Sequence, residues 1–236
     1  MDKMQKTVPE ISFPLGEKVR MGALKIKVCG MRDPANIAET AQAQPDFMGF
    51  IFHPESKRFA GFDAQPGILG AINETICKVG VFVDERVGQV IEISQNWQLG
   101  AIQLHGQESP DDCRRIRKSG TPVFKAFSID GSFDFGTLEA YRNCCDYFLF
   151  DTKGQLPGGT GQKFNWQLLG KYRLDVPFFL SGGIGPGDLE SIREFHHPQL
   201  FGIDINSGFE ISPGVKDVKK VHTFINEVRK ISNNEY

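Results

Sequence analysis

Two residues able to transfer protons each stand at the end of a short apolar run in this sequence. Cys29 ends the run of residues 25–29, and Asp151 ends the run of residues 147–151. A thiolate can take a proton as a general base, and a protonated carboxyl can give one as a general acid. If both runs are strands that end at one edge of a sheet, the thiol and the carboxyl face each other across a pocket. Cys29 and Asp151 are therefore candidates for acid–base catalysis.

A structural role is the alternative for both residues. Cysteine is among the residue types most often buried, so Cys29 taken alone is more typical of core packing. Asp151 ends so apolar a run that it must be salt-bridged, cap a helix or act in catalysis. To act as a base, Cys29 must shift toward the thiolate, which Lys27 or Arg32 nearby could favour. To act as an acid, Asp151 must hold a proton, which desolvation at a pocket mouth favours.

Three glycine-rich segments, residues 158–161, 181–185 and 206–208, follow the last three apolar runs of the chain. Glycine lets the backbone approach a ligand closely and turn its N–H groups toward an anion. One such segment alone would indicate a tight turn, but three at adjacent strand ends indicate a phosphate site, and residues 208–211 could begin the short extra helix of that site. The candidate phosphate-binding residues are Gly159, Gly161, Gly182, Gly183, Ser207 and Gly208.

Arg58 lies in the loop after the second apolar run and carries a planar cationic fork. Such a fork is suited to a carboxylate, so Arg58 is a candidate to hold a carboxylate of the substrate. The alternative is a solvated surface arginine beside Lys57. In the functional interpretation, the fork completes a pocket that already has an acid–base pair and a phosphate site.

Eight apolar runs must position these candidates, and they recur at intervals of about 20 to 30 residues. Each run is followed by a helix-like segment, a pattern typical of a parallel sheet covered on both faces. Eight such units predict an α/β protein, a single closed (β/α)8 TIM barrel with its active site at the carboxyl ends of the strands. We expect residues 24–236 to form this catalytic barrel and residues 1–23 to be an N-terminal extension, loosely packed. The predicted strands are residues 25–29, 47–52, 78–83, 101–105, 122–127, 147–151, 177–181 and 201–205.

Capping residues indicate where helices begin. Asp33 and Ser109 each precede a proline, which suits the first position of a helix. Asp84 and Asp217 could start the helices after the third and the eighth runs.

The composition argues against several classes of function. The formal net charge of the 236 residues is only −2, with no long run of one sign, which argues against a nucleic-acid or polybasic membrane partner. No stretch is apolar and long enough to span a membrane, and residues 1–20 lack the apolar core of a signal peptide. The five cysteines include no C-x-x-C pair and predict reduced thiols in a cytoplasmic protein. The five histidines show no ligand spacing with the cysteines, so we expect no metal.

Seven stretches of the sequence together resemble the phosphoribosylanthranilate isomerase family of tryptophan biosynthesis, over nearly all of residues 25–230. They are KVCGMRDPANI, DFMGFIFHPESKRFAG, VGVFVD, IQLHG, FLFDTKG with GGTGQKFNW, FLSGGIGPGDL and GIDINSGFEISPGVKD. The resemblance implies a (β/α)8 fold and an Amadori rearrangement of a phosphorylated small molecule, N-(5-phosphoribosyl)anthranilate, without metal or organic cofactor. A monomer or a homodimer is expected.

By the same matching, Cys29 falls on the family's general base and Asp151 on its general acid. Arg58 falls on the group that holds the anthranilate carboxylate. The glycine segments fall on the phosphate site, and His105 and Asp204 match pocket positions. The resemblance implies that the acid protonates the furanose oxygen, the ring opens to a Schiff base, and the base then removes the C2 proton.

The chain departs from the family at Gln162, where Lys is usual, and at Asn165, where Asp is usual, both in the sixth loop. Two other functions stay open. A barrel similar to the aminoaldose isomerase of histidine biosynthesis would be expected to carry Asp at position 29. A non-catalytic phosphate-binding barrel would keep the glycine segments but need neither Cys29 nor Asp151. A turnover assay distinguishes the three functions.

Overall fold

Eight parallel strands close into a barrel in the computed structural model of the chain, which describes residues 24–61, 69–70, 72–152 and 165–234. The first strand pairs with the eighth, with Lys25 opposite Gly202 and Val28 opposite Ile205, so the ring of strands is complete. This confirms the predicted (β/α)8 barrel, and each strand lies within two residues of its predicted bounds. The strands are β1 (Lys25–Val28), β2 (Phe47–Ile51), β3 (Cys77–Phe82), β4 (Ala101–Leu104), β5 (Val123–Ile129), β6 (Tyr147–Thr152), β7 (Phe178–Leu180) and β8 (Leu200–Ile205).

Aromatic side chains fill the amino-terminal half of the barrel interior. Phe124 and Phe179 stack with their ring centroids 5.2 Å apart, and Phe47 meets Phe179 edge-on at 5.3 Å. The ring of Tyr147 lies 4.8 Å from that of Phe124. Because these rings fill the amino-terminal half of the interior, a pocket can form only at the carboxyl ends of the strands.

The described residues form five α-helices outside the barrel: α1 (Pro34–Ala41), α2 (Val87–Asn96), α3 (Pro110–Arg117), α4 (Leu189–Glu194) and α5 (Val218–Asn234). The side chains of Asp33, Ser109 and Asp217 accept backbone N–H groups at the starts of α1, α3 and α5, which confirms these predicted caps. The expectation for Asp84 is wrong, because its carboxylate instead accepts the N–H of Gln107 in a neighbouring loop. Within the described part of the chain, no helix has both the length and the apolar character needed to cross a membrane.

The helical segments described after β5 and β6 are 3-10 helices, Phe135–Tyr141 and Trp166–Lys171, rather than α-helices. Asn165 caps the second, since its Oδ1 accepts the N–H of Gln167 at 3.0 Å. The amide at position 165 therefore performs the capping that an Asp could perform there. Gln162 lies outside the described residues.

A hairpin follows β8, where the sequence suggested that a short helix begins. A single 3-10 turn, Ser207–Phe209, leads into β9 (Glu210–Ser212), which pairs antiparallel with β10 (Val215–Lys216). Asn36 of α1 clasps this hairpin: its Oδ1 accepts the N–H of Lys216 at 2.7 Å, and its Nδ2 donates to the carbonyl of Lys216 at 2.9 Å. The hairpin is thereby held against the first helix, at the rim of the barrel.

Candidate active site

The nine predicted site residues that are described all lie near the carboxyl ends of strands or in the loops that follow them. Gly159 and Gly161 lie outside the described residues. The rim has two sides, which we name by their candidate proton-transfer groups. The base side comprises Lys27, Cys29, Arg58, Asp204, Glu210 and Lys216. The acid side comprises Gln103, His105, Asp151 and Thr152.

Cys29 directly follows β1 and is 4% exposed. Its N–H donates to the carbonyl of Ile205 at the end of β8, at 2.9 Å, which fixes the residue at the rim. Gly49 of β2 makes room for the thiol, because a Cβ added there would lie 2.8 Å from the Sγ of Cys29 and 3.2 Å from the Nζ of Lys27. Burial raises the pKa of the Cys29 thiol, and the Lys27 ammonium acts against that rise.

Lys27 is fully buried and forms an ion pair with Asp204, with Nζ 2.9 Å from Oδ1. The other carboxylate oxygen accepts the hydroxyl of Ser181 at 3.2 Å. Burial acts to lower the pKa of Lys27, but Asp204 and Cys29 outweigh it and leave that pKa above its ordinary value. Arg32 is exposed and donates to a backbone carbonyl of the loop after β2, so Lys27 rather than Arg32 is the cation beside the thiol.

Asp151 lies on β6 with its side chain 25% exposed, so the desolvation expected from its apolar run is only partial. Its Oδ1 accepts the N–H of Thr152 at 2.8 Å, and its Oδ2 lies 3.4 Å from the Nε2 of His105. The Nδ1 of His105 lies 2.9 Å from the Nε2 of Gln103. With this amide nitrogen as the donor, Nδ1 accepts and the ring proton is assigned to Nε2, facing the carboxylate. In this arrangement Gln103 sets the tautomer of the histidine.

Arg58 is held in an ion pair rather than solvated on the surface. Its Nε lies 2.8 and 3.0 Å from the two carboxylate oxygens of Glu210, and its Nη2 lies 2.7 Å from Oε2. Lys216 donates from Nζ to Oε1 of Glu210 at 2.8 Å and to Oδ1 of Asn206 at 2.7 Å. A Cβ added to Gly30 would lie 2.7 Å from the Cδ of Arg58, so this cluster packs against the loop that follows the thiol.

The loops after β7 and β8 form one wall beside the acid. Gly182 has a φ of +91°, and a Cβ added there would lie 2.8 Å from the Oδ1 of Asp151. A Cβ on Gly208 would lie 2.5 Å from the carbonyl oxygen of Ile184, so the two loops touch through their backbones. Among the described residues, the N–H groups of Gly182 and Gly183 have no acceptor. This wall therefore offers backbone donors for an anion.

Three residues that contribute side chains to this site, Gln103, Glu210 and Lys216, were given no role on the basis of the sequence. The signal for Gln103 was its spacing, because residues two apart on a strand share a face and His105 follows at that interval. The signal for Glu210 and Lys216 was the Pro213-Gly214 pair between them, which is typical of a turn between two strands.

Known proteins resemble this chain closely. A family model described as N-(5'phosphoribosyl)anthranilate (PRA) isomerase matches residues 26–227. A protein of Phocaeicola vulgatus named N-(5'-phosphoribosyl)anthranilate isomerase is 46% identical over 205 residues, which are 87% of this chain and 98% of that protein. The crystal structure of phosphoribosyl anthranilate isomerase from Thermotoga maritima has a TM-score of 0.77 at 30% identity, covering 88% of this chain and 99% of that one. A structure of such an isomerase in complex with reduced 1-(o-carboxyphenylamino)-1-deoxyribulose 5-phosphate has a TM-score of 0.74 at 28% identity, with the same coverage.

Proposed function

Because the chain belongs to the N-(5'-phosphoribosyl)anthranilate isomerase family, we propose that Cys29 is its catalytic base and Asp151 its catalytic acid. The protein is an isomerase of tryptophan biosynthesis, and its reaction is the Amadori rearrangement of N-(5'-phosphoribosyl)anthranilate to 1-(2-carboxyphenylamino)-1-deoxyribulose 5-phosphate. Family membership sets aside the two other functions that the sequence left open. One observation carries the assignment of roles: a buried thiol beside a buried ammonium shares a rim with a partly exposed carboxyl.

Ring opening is the step of the acid. Asp151 gives its proton to the furanose ring oxygen, the bond from C1 to that oxygen breaks, and the nitrogen lone pair forms the C=N bond of a Schiff base. The carboxylate left behind is stabilised by the N–H groups of Thr152 and His105, which already face it. Because the side chain is partly exposed, water can return the proton.

Proton removal from C2 is the step of the base. The Cys29 thiolate takes this proton, the C–H electrons form a C1=C2 bond, and the C=N electron pair returns to nitrogen, giving an enolamine. The enolamine then loses its hydroxyl proton and gains a proton at C1, which yields the ketone. Lys27 stabilises the thiolate that starts this step. Each positioned acid or base contributes about 10² to 10⁴ in rate.

The remaining residues hold the two ends of the substrate. Arg58 binds the anthranilate carboxylate, and His105, which is partly exposed, contacts the sugar. Asp204 acts through Lys27, because both of its carboxylate oxygens already have partners in the barrel. The phosphate is bound by backbone N–H groups of the glycine segments, with Gly159, Gly161, Gly182, Gly183, Ser207 and Gly208 as the proposed residues.

The catalytic unit is proposed to be one barrel domain, residues 24–236, with residues 1–23 as an N-terminal extension. The described residues of the base side and of the acid side all come from a single barrel. A monomer therefore has a complete set of these groups, and a homodimer would carry two independent sets.

The test is turnover of N-(5'-phosphoribosyl)anthranilate by the purified full chain and by two variants. Cys29→Ser replaces the thiol by a hydroxyl that hardly ionises at neutral pH, and Asp151→Asn removes the acidic proton. Each variant is expected to lose about a hundredfold or more in kcat. Affinity for the reduced product should be kept, since the glycine segments are untouched. A Cys29→Ser enzyme with near-normal kcat would overturn the base assignment while leaving the family assignment intact.

A further inference from the structure

We propose that Glu210 is a positioning residue: it occupies one edge of the Arg58 guanidinium, so that the substrate carboxylate binds end-on to the other edge. The inference rests on the proposed role of Arg58 as the carboxylate-binding group. It adds the direction from which the carboxylate is bound and the residue that fixes that direction.

The two edges of the guanidinium differ in occupancy. The Nε–Nη2 edge is filled, because Nε lies 2.8 and 3.0 Å from the Glu210 oxygens and Nη2 lies 2.7 Å from Oε2. Among the described residues, none accepts a hydrogen bond from Nη1. A guanidinium has a second edge, formed by its two terminal nitrogens, that can bind a carboxylate through two parallel hydrogen bonds. This end-on edge is the one left for the substrate.

Glu210 is itself held on its far side, so it can act as a fixed support. Its Oε1 accepts the Nζ of Lys216 at 2.8 Å and the N–H of Gly214 at 3.1 Å. The side chains of Lys216 and Glu210 are 0% and 6% exposed. Burial acts to raise the pKa of Glu210, but Arg58 and Lys216 outweigh it and hold that pKa below its ordinary value. Glu210 is therefore charged at neutral pH, as an ion-paired support must be.

The support also holds the Arg58 side chain beside the loop that follows the base. The Cδ of Arg58 lies against Gly30, the residue that follows Cys29. A free arginine side chain has many rotamers, and a bidentate partner removes most of them before substrate arrives. A substrate carboxylate held end-on would fix the anthranilate group close to the thiol.

Electrostatic repulsion alone predicts the opposite change in substrate affinity, so the direction of the measured change distinguishes the two explanations. Glu210 repels a second carboxylate, so removing its charge would strengthen substrate binding if Arg58 stayed in place. If positioning dominates, removal weakens recognition of the carboxylate instead. The measured quantity is the affinity ratio between two ligands: reduced 1-(o-carboxyphenylamino)-1-deoxyribulose 5-phosphate and the same compound without its ring carboxylate.

The experiment compares Glu210→Gln and Glu210→Asp with a matched control, Glu190→Gln, which removes the charge from an exposed ion pair with Arg193. Isothermal titration should show the affinity ratio falling about tenfold in both Glu210 variants, because the Gln amide has one acceptor oxygen and the Asp carboxylate is one methylene shorter than that of Glu. The affinity for inorganic phosphate should not change, and the control should keep the wild-type ratio. Glu210→Asp keeps the charge, so it provides the test if loss of a buried charge prevents Glu210→Gln from folding.

Arg58→Ala separates this inference from the function on which it rests. If that variant keeps the wild-type ratio, the carboxylate role of Arg58 is wrong. If it abolishes the ratio while folded Glu210 variants keep or increase theirs, only the positioning role of Glu210 is wrong. A lower ratio in all three variants supports both.

Discussion

The base side of the rim is buried away from water, whereas the acid side is partly exposed to it. Lys27 and Cys29 are 0% and 4% exposed, whereas the side chains of Asp151 and His105 are 25% and 29% exposed. The base side gathers three cations and two carboxylates around the thiol, and a Cys29 thiolate would make that set electrically neutral. The described partners of Asp151 are N–H groups instead.

This difference suits the two proton transfers. In a site that excludes water, the stability of an anion depends on the fixed charges around it, because a low dielectric constant strengthens each Coulomb interaction. A carboxyl that must regain its proton in every cycle benefits from contact with water, and hydrogen bonds hold its geometry. The base side should therefore respond to changes of charge and pH, and the acid side to changes of hydrogen-bond geometry.

The largest effect that would sharpen this comparison is expected from Lys27→Met. Burial raises the pKa of Cys29 and Lys27 opposes the rise, so removing the lysine should raise that pKa further. Because the base acts in its deprotonated form, kcat/KM at neutral pH should fall about ten- to a hundredfold, with each pKa unit worth a factor of ten. The ascending limb of the pH profile should move to higher pH, and activity should recover in alkaline buffer.

The matched control is Lys25→Met, two residues earlier on the same strand. Lys25 pairs with Asp46 at 2.9 Å and is 45% exposed, at the opposite end of β1 from the thiol. This variant should keep the wild-type pH profile. The comparison would fail if a folded Lys27→Met enzyme kept the wild-type ascending limb. The charge of Lys27 would then not determine the pKa of the base.

A smaller effect is expected on the acid side from Gln103→Leu. This change removes the donor that holds the proton of His105 on Nε2, so the ring can take the other tautomer and lose its contact with Asp151. Loss of one hydrogen bond of about 1 kcal/mol corresponds to roughly a fivefold fall in kcat. The proton on Nε2 should be visible by nitrogen NMR of labelled histidine in the wild type and reduced in the variant. Gln95→Leu, on the exposed face of α2, serves as the control, and equal kcat values for the two variants would argue against the tautomer role.

The smallest effect is expected from deleting residues 1–20, which lie on neither side of the rim in the proposed domain division. Termini tolerate loss unless they are packed down, so turnover should stay within a few-fold of the full chain. Steady-state kinetics and thermal unfolding of the shortened chain measure this. A collapse of activity or folding would show that the extension belongs to the barrel domain.

The strand ends could be predicted from the sequence, whereas the partners at those ends could not. Strands buried on both faces give continuous apolar runs, and the ends of those runs located Cys29 and Asp151. The ion pair of Arg58 with Glu210 joins residues 152 positions apart, and no local pattern encodes such a pairing. The partial exposure of Asp151 was also missed, because an apolar strand says nothing about how open the barrel is beyond its end.

The segment after β8 shows that a short stretch of sequence does not by itself determine its secondary structure. Glycine followed by alternating polar and apolar residues fits both the first turn of a helix and a short strand, and residues 208–211 were expected to start a helix. Pairing with β10 decides in favour of the hairpin, and that pairing depends on residues further along the chain. The charged residues of the hairpin reach the base side only in this conformation.

The clasp between Asn36 and Lys216 joins residues 180 positions apart, and it bears on the order in which the enzyme is made. Synthesis runs from the amino terminus, so Cys29 leaves the ribosome early while Asp204, Glu210 and Lys216 are still to be added. The edge of β1 that pairs with β8 likewise has no partner strand until β8 has been synthesised. The base side is thus the first part of the site to be begun and the last to be completed. A nascent chain that lacks its final quarter carries Lys27 and Arg58 but not Asp204, Glu210 or Lys216, so the ion pairs of the base side can form only after that quarter has been added.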